Sequence, residues 1–425
     1  MEVRIHQIMI FSIMLLILTG NLKAGKYADI IVDRNGRGDY QTITEAVDAL
    51  PMYPYRRTVI YVMNGLYNEK VRINQNYITI RGESRDSTII SYNQPREDWI
   101  ASKDYIGPAV LNIYGDDFIL ENITVENSQP ETGIHAFTVY GLSNRIVTVN
   151  CRLISRGGDT VSLWNYKTGM YYHSNCIFHG SVDLICPRGW CFVRDSQIYQ
   201  YRKTAILWHD GHYDPDQKFV IVNSRFDGVP GFQLGRHHYE AQFYLLNCRF
   251  SENMADQPIY HVLYDDPARN NPCFEGDRKY FFQCRKEGES FDWISNNLEQ
   301  AKQSPSPDQI TPSWTFNGQW DPESVEPVRV IDYQMDGDRL ILTFSDIVTV
   351  RGQPVFQNSR GTVFRTVMRR FNDKNRLEFL SESGIDKIDL TGEMTLLSGN
   401  IIASEAGVYE RSLGTVFYIF QETAG

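Results

Sequence analysis

The chain has 425 residues, a length that predicts two or three domains. Apolar residues make up 42% and charged residues 22%, a globular balance that excludes wholesale disorder. A formal net charge of −10 argues against a general nucleic-acid binder. The 7 Trp, 25 Tyr and 22 Phe exceed what a plain core needs, and fit a β-rich body or a sugar-binding face.

Residues 1–24 read as a cleavable leader. Arg4 supplies a positive start, Ile8 to Leu18 is too short an apolar run to span a bilayer, and Leu22-Lys23-Ala24 offers a cleavage site. The mature protein is expected to be exported, periplasmic or extracellular, without a membrane anchor. Tyr40 to Leu50 reads as a helix with a capping box from Thr42 to Glu45 and an apolar face of Ile43, Ala46, Val47 and Leu50. Strands are expected at Thr58–Val62, Tyr77–Ile80 and Thr88–Ile90.

An internal repeat then organises the chain. Asn122-Ile123-Thr124-Val125 is followed by Asn150-Cys151-Arg152-Leu153, Asn175-Cys176-Ile177-Phe178 and Asp195-Ser196-Gln197-Ile198. Asn223-Ser224-Arg225-Phe226 and Asn247-Cys248-Arg249-Phe250 complete the series, at steps of 20 to 28 residues. Short alternating strands between turns, with no long helical pattern, predict a parallel β-helix, the N-terminal helix capping its open end. Cys151, Cys176 and Cys248 recur at one repeat position, which favours stacking over disulfide pairing. Five prolines between 303 and 327 mark a boundary. The β-helix domain is expected over 25–320, with a small β-sandwich-like domain of unassigned role over 326–425. Trp314 and Trp320 are expected to pack on the solenoid.

Asp159 and Asp183 follow Cys151 and Cys176 at nearly equal offsets, so coil stacking places them in one row about 4.8 Å apart. Carboxylates that close cannot both ionise freely, so one pKa should rise and leave an acid beside an anion. Idle turn carboxylates would have the same spacing. Between Cys151 and His238 the chain carries ten Lys plus Arg against seven Asp, with no Glu. A basic, aromatic-bearing strip on an acidic protein suits an acidic polysaccharide.

These motifs resemble the pectin methylesterases, in a bacterial form with an appended C-terminal β domain. Tyr40, Thr42-Ile43 and Ala46-Val47 are similar to that family's first helix. Gly65-Leu66-Tyr67-Asn68-Glu69, Gly158-Asp159-Thr160, Gly180-Ser181-Val182-Asp183-Leu184-Ile185 and Leu234-Gly235-Arg236 resemble its later motifs, in order, over about 28–320. The resemblance implies a right-handed parallel β-helix and removal of methyl esters from galacturonate. Asp183 would be the nucleophile, Asp159 the acid and base, and Arg236 the group holding Asp183 ionised. Arg188, Trp190, Trp208 and His238 are the expected substrate contacts. No metal or cofactor is expected, and His209 to His212 reads as a polar loop. The expected partner is a methyl-esterified galacturonan, acted on by a monomer.

Four departures stand out. Gly158 replaces a Gln that helps hold the oxyanion, and His135 replaces another. His237-His238 replaces Pro-Trp, and Pro187-Arg188 replaces Gly-Asn. His135 becomes the expected replacement donor, and a Gln restored at position 158 is expected to be tolerated. A non-catalytic pectin-binding protein and a β-helix glycosidase remain alternatives.

Overall fold

The computed structural model describes residues 29–53, 57–210, 214–276, 278–324, 327–345, 348–367, 375–381, 383–403 and 412–419. The expected leader at 1–24, and His212 of the expected polar loop, lie outside the described residues. The chain divides into two compact units at Ser324/Val325.

The first unit is a parallel β-helix. Each coil crosses three sheets in turn. Among the described residues sheet A holds ten strands, from Ile30–Val32 to Lys279–Phe282. Over the same described residues sheet B holds nine, from Gly65–Tyr67 to Arg285–Lys286, and sheet C holds eight, from Val71–Ile73 to Tyr260–His261. Parallel pairing in register stacks like residues on like. Val139, Val161, Ile185 and Leu207 form one inward column of sheet C, each at most 1% exposed.

The turn from sheet A to sheet B explains the repeated Asn. Asn122, Asn150, Asn175, Asn223 and Asn247 all adopt φ between 51° and 57°, a left-handed conformation that Asn tolerates. Their amides form a ladder: Asn150 Nδ2 donates to Asn122 Oδ1 at 2.7 Å and Asn175 Nδ2 to Asn150 Oδ1 at 3.1 Å. The cysteine that follows points inward, with Cys151, Cys176 and Cys248 at most 1% exposed. All seven cysteines are free thiols. Gln283-Cys284-Arg285 extends the series by one coil, with Gln283 at φ 50°.

The N-terminal helix covers Ile43–Asp48 and carries the expected capping box between Thr42 and Glu45. Ile43, Ala46 and Val47 join the solenoid core. Glu69, which ends the Gly65-to-Glu69 motif, accepts the free amides of Ile43 and Thr44, each at 2.9 Å. That motif therefore holds the cap.

The outward face of sheet A is covered by the segment from Thr311 to Glu323. Trp314 meets Tyr244 edge-on at 5.1 Å, and Glu323 accepts from Tyr172 at 2.6 Å and Arg194 at 2.7 Å. Trp320 packs on Phe316 at 5.1 Å.

The second unit is antiparallel, with its own core of residues such as Phe356, Phe364, Phe379 and Phe417. The expected sandwich is realised as one hydrogen-bonded sheet of seven strands among the described residues. The eleven-residue strands Val348–Asn358 and Glu393–Ala403 slip register around Arg351 and Val355, and such bulges bend a sheet.

Candidate active site

The turns from sheet B to sheet C place two carboxyls side by side. Gly158 bridges His135 on one neighbouring coil and Val182 on the other, so Asp159 and Asp183 occupy equivalent positions one coil apart. Both take left-handed backbone, φ 55° and 50°, and both are buried, 6% and 3% exposed. The amides of Gly158, Asp159 and Asp183 donate to Ile134, Val182 and Ala205 carbonyls at 2.7, 2.7 and 2.8 Å. Those three backbone donors are engaged in coil stacking and are not free to meet a developing oxyanion.

The two carboxyls have different partners. Arg236 bonds Asp183 with both arms, Nε to Oδ1 at 3.0 Å and Nη2 to Oδ2 at 2.7 Å. Burial nevertheless pushes Asp183 up to about 6, with Arg236 opposing the rise and the charge of Asp159 adding to it. The Arg236 bond expected to hold Asp183 ionised is present, and burial works against it. Desolvation outweighs the ion pair, although the anion still predominates at pH 7. Asp159 is met by neutral groups and a histidine. Ser162 donates to its Oδ2 at 3.3 Å, and the Cys186 thiol lies 3.9 Å from the same oxygen. His135 Nδ1 lies 3.5 Å from Oδ1, and that contact raises the His135 pKa.

The flanks are aromatic and cationic. Arg188 lies 3.6 Å over the Trp164 ring, with Nη1 3.4 Å from Ser162 Oγ and 3.2 Å from Cys186 Sγ. Trp164 in turn donates to Ser162 at 2.9 Å. The ring ladder continues through Tyr140 at 6.2 Å to Tyr114 at 6.3 Å, where Arg72 sits 3.9 Å above the ring. On the other flank, Trp208 lies beneath Arg236 at 4.7 Å and parallel to His238 at 6.5 Å. His238 also faces Asp210 at 3.1 Å.

The structure thus brings Asp159, Asp183, Arg236 and His135 together, with Arg188, Trp208 and His238 beside them. Arg188 and Trp208 are only 5% and 7% exposed, which suits them to supporting their neighbours. Trp190 is a correction. It lies on sheet A, 7% exposed, with Lys218 5.0 Å over its ring, and is not part of this cluster. Strand alternation and the crossing from sheet C to sheet A between Pro187 and Trp190 carry it to another face. Ser162 and Cys186 were not among the expected residues. Their signal was present, since each stands three residues after one of the two aspartates. Among the described residues no group of His, Cys, Asp and Glu could hold a metal ion.

The family model described as Pectinesterase matches residues 29–241. Pectinesterase 31 of Arabidopsis thaliana is 30% identical over 203 residues, covering 46% of this chain and 58% of that protein. The match thus spans less than two thirds of that relative's own length. The carrot pectin methylesterase superposes with a TM-score of 0.53 at 21% identity, covering 69% of this chain and 94% of that one. A pectin methylesterase in complex with a hexasaccharide gives 0.57 at 19% identity, covering 70% and 98%. At these identities the two structures speak to the fold.

Proposed function

Because the chain belongs to the pectinesterase family, we propose that it removes methyl esters from galacturonate units of pectin and releases methanol. The observation that carries the reading is the asymmetry between the two carboxyls. Arg236 holds and aims Asp183 with both arms, while Asp159 is bonded by a hydroxyl and faces a thiol and an imidazole.

Asp183 attacks the ester carbonyl carbon. Its oxygen–carbon bond forms as the carbonyl pair moves onto oxygen, and when that pair returns the bond to the methoxy oxygen breaks and Asp159 gives that oxygen its proton. Asp159 then takes a proton from the water that cleaves the acyl-enzyme, restoring both groups. His135, 3.5 Å from Asp159, is the side-chain donor assigned to the oxyanion. The ring ladder of Trp164, Tyr140 and Tyr114, with Arg72 at its end, supports an extended uronate chain, because sugar faces stack on rings and carboxylates pair with guanidinium. The apolar run near the N-terminus supports export.

The test is Asp183→Asn in the full chain. Methanol release from methyl-esterified pectin should fall by about a thousandfold or more, with thermal melting unchanged. Near wild-type turnover would refute the assignment. New reducing ends without methanol would make the protein a glycosidase.

A further inference from the structure

Sheet A carries a second concave site on a face different from that of the two aspartates. Between its last strands and the segment around residues 300–318 lies a cavity of about 1130 Å³. That is as large as a pocket for a multi-ring ligand, commonly about 300–1,000 Å³. Tyr244, Tyr280 and Trp314 form an aromatic wall, with Tyr280 4.8 Å and Trp314 5.1 Å from Tyr244.

The cations are the unusual part. Arg278 gives one nitrogen to the Pro215 carbonyl at 2.6 Å. Its Nε and Nη2 are buried, and among the described residues they have no hydrogen-bond partner. Lys218 lies between Trp190 and Trp314, 5.0 and 4.8 Å from the ring centroids. Lys302 adds a third positive charge, against Asp216 and Glu275 in the lining and Asp214 beside Lys218. Arg278 is partly exposed, and a turn of its guanidinium would present these two unpaired donors to a ligand in the cavity. Planar donors beside flat rings fit a carboxylate attached to a sugar ring. Amide and hydroxyl side chains such as Gln300 and Ser313 complete the lining, matching sugar hydroxyls.

We propose that this cavity is a second saccharide site that takes a uronate-bearing oligosaccharide, with Arg278 and Lys302 pairing its carboxylates and Trp314 stacking on a ring. The site would hold an acidic chain on one face of the solenoid while another segment meets the aspartates. The proposal concerns binding and does not require the esterase reading.

Calorimetric titration of the full chain with a fully de-esterified galacturonate hexamer tests it, with a neutral hexasaccharide as control. Substituting Arg278→Gln together with Lys302→Gln should weaken one binding event about tenfold or more, as expected for losing charge-assisted bonds. Methanol release from a short methyl ester should be unchanged. Lys302→Glu, on an exposed residue, repeats the test without disturbing packing and should also weaken that event. Binding that ignores these substitutions, or equal binding of the neutral sugar, overturns the proposal. Absence of methanol release in the unsubstituted protein would instead sink the esterase reading and leave the titration result standing.

Discussion

Asp159 and Asp183 share a backbone conformation and a level of burial, and differ in what bonds them. That difference predicts a pH profile. Asp183, pushed up to about 6 by burial, must be ionised to attack. Turnover should therefore fall about tenfold per pH unit below about 6, and the need for a proton on Asp159 should bring it down again at higher pH. Arg236→Lys removes the two-armed clamp that opposes the rise, so the acid-side inflection should move to higher pH and the maximum should drop. An inflection that stays in place would detach Arg236 from the titration of Asp183. His135 has a sharper test. His135→Ala should lower kcat by about a hundredfold with little change in KM, and His135→Gln should recover part of it. Wild-type turnover with a lower melting temperature would make it a packing residue. The geometry also revises the expectation for Gly158→Gln. A Cβ there would lie 3.1 Å from Val182 Cβ and 3.4 Å from His135 Nδ1. The absence of a side chain makes room for the imidazole, so the Gln variant should lose activity in the His135 background.

At the scale of the coil, the Asn ladder does two jobs. Its residues tolerate left-handed backbone, and their amides tie each turn to the next. Asn150 accepts from Asn175 and Arg85 and donates to Asn122. Asn150→Gly keeps the backbone freedom and loses the ladder, while Asn150→Ala loses both. Denaturant unfolding should place the Ala variant about 1–2 kcal/mol below the Gly variant, the cost of left-handed backbone. Equal losses would show that hydrogen bonding alone matters. The period was legible because stacking repeats the same demand at each turn. The coil at Gln283 escaped because the loop before it is longer and its residue is Gln instead of Asn.

At the scale of the molecule, each unit has its own hydrophobic core. A chain ending at Ser324 should remain soluble, melt cooperatively and retain methanol release. A chain ending at Ile310 removes Trp314 and Glu323 and bares the aromatic face of sheet A. That shorter chain should aggregate or lose several degrees in Tm. If the longer truncation also aggregates, the second unit is needed for solubility.

By itself the sequence determined the parallel coil, its capping helix and the pairing of Asp159 with Asp183. Each is a periodic or local property: one residue type recurring at one offset, or a cap closed within four positions. Tertiary structure decided what periodicity cannot carry. Trp190 and Trp208 look alike in an aromatic-rich stretch, yet one strand belongs to sheet A and the other to sheet C, so they serve different faces. The Asp183 pKa depends on how much water the surrounding coils exclude. Arg278 became a site only when a segment more than twenty residues later closed over it. Burial and face are set by all the coils together, and no single stretch of the chain encodes them.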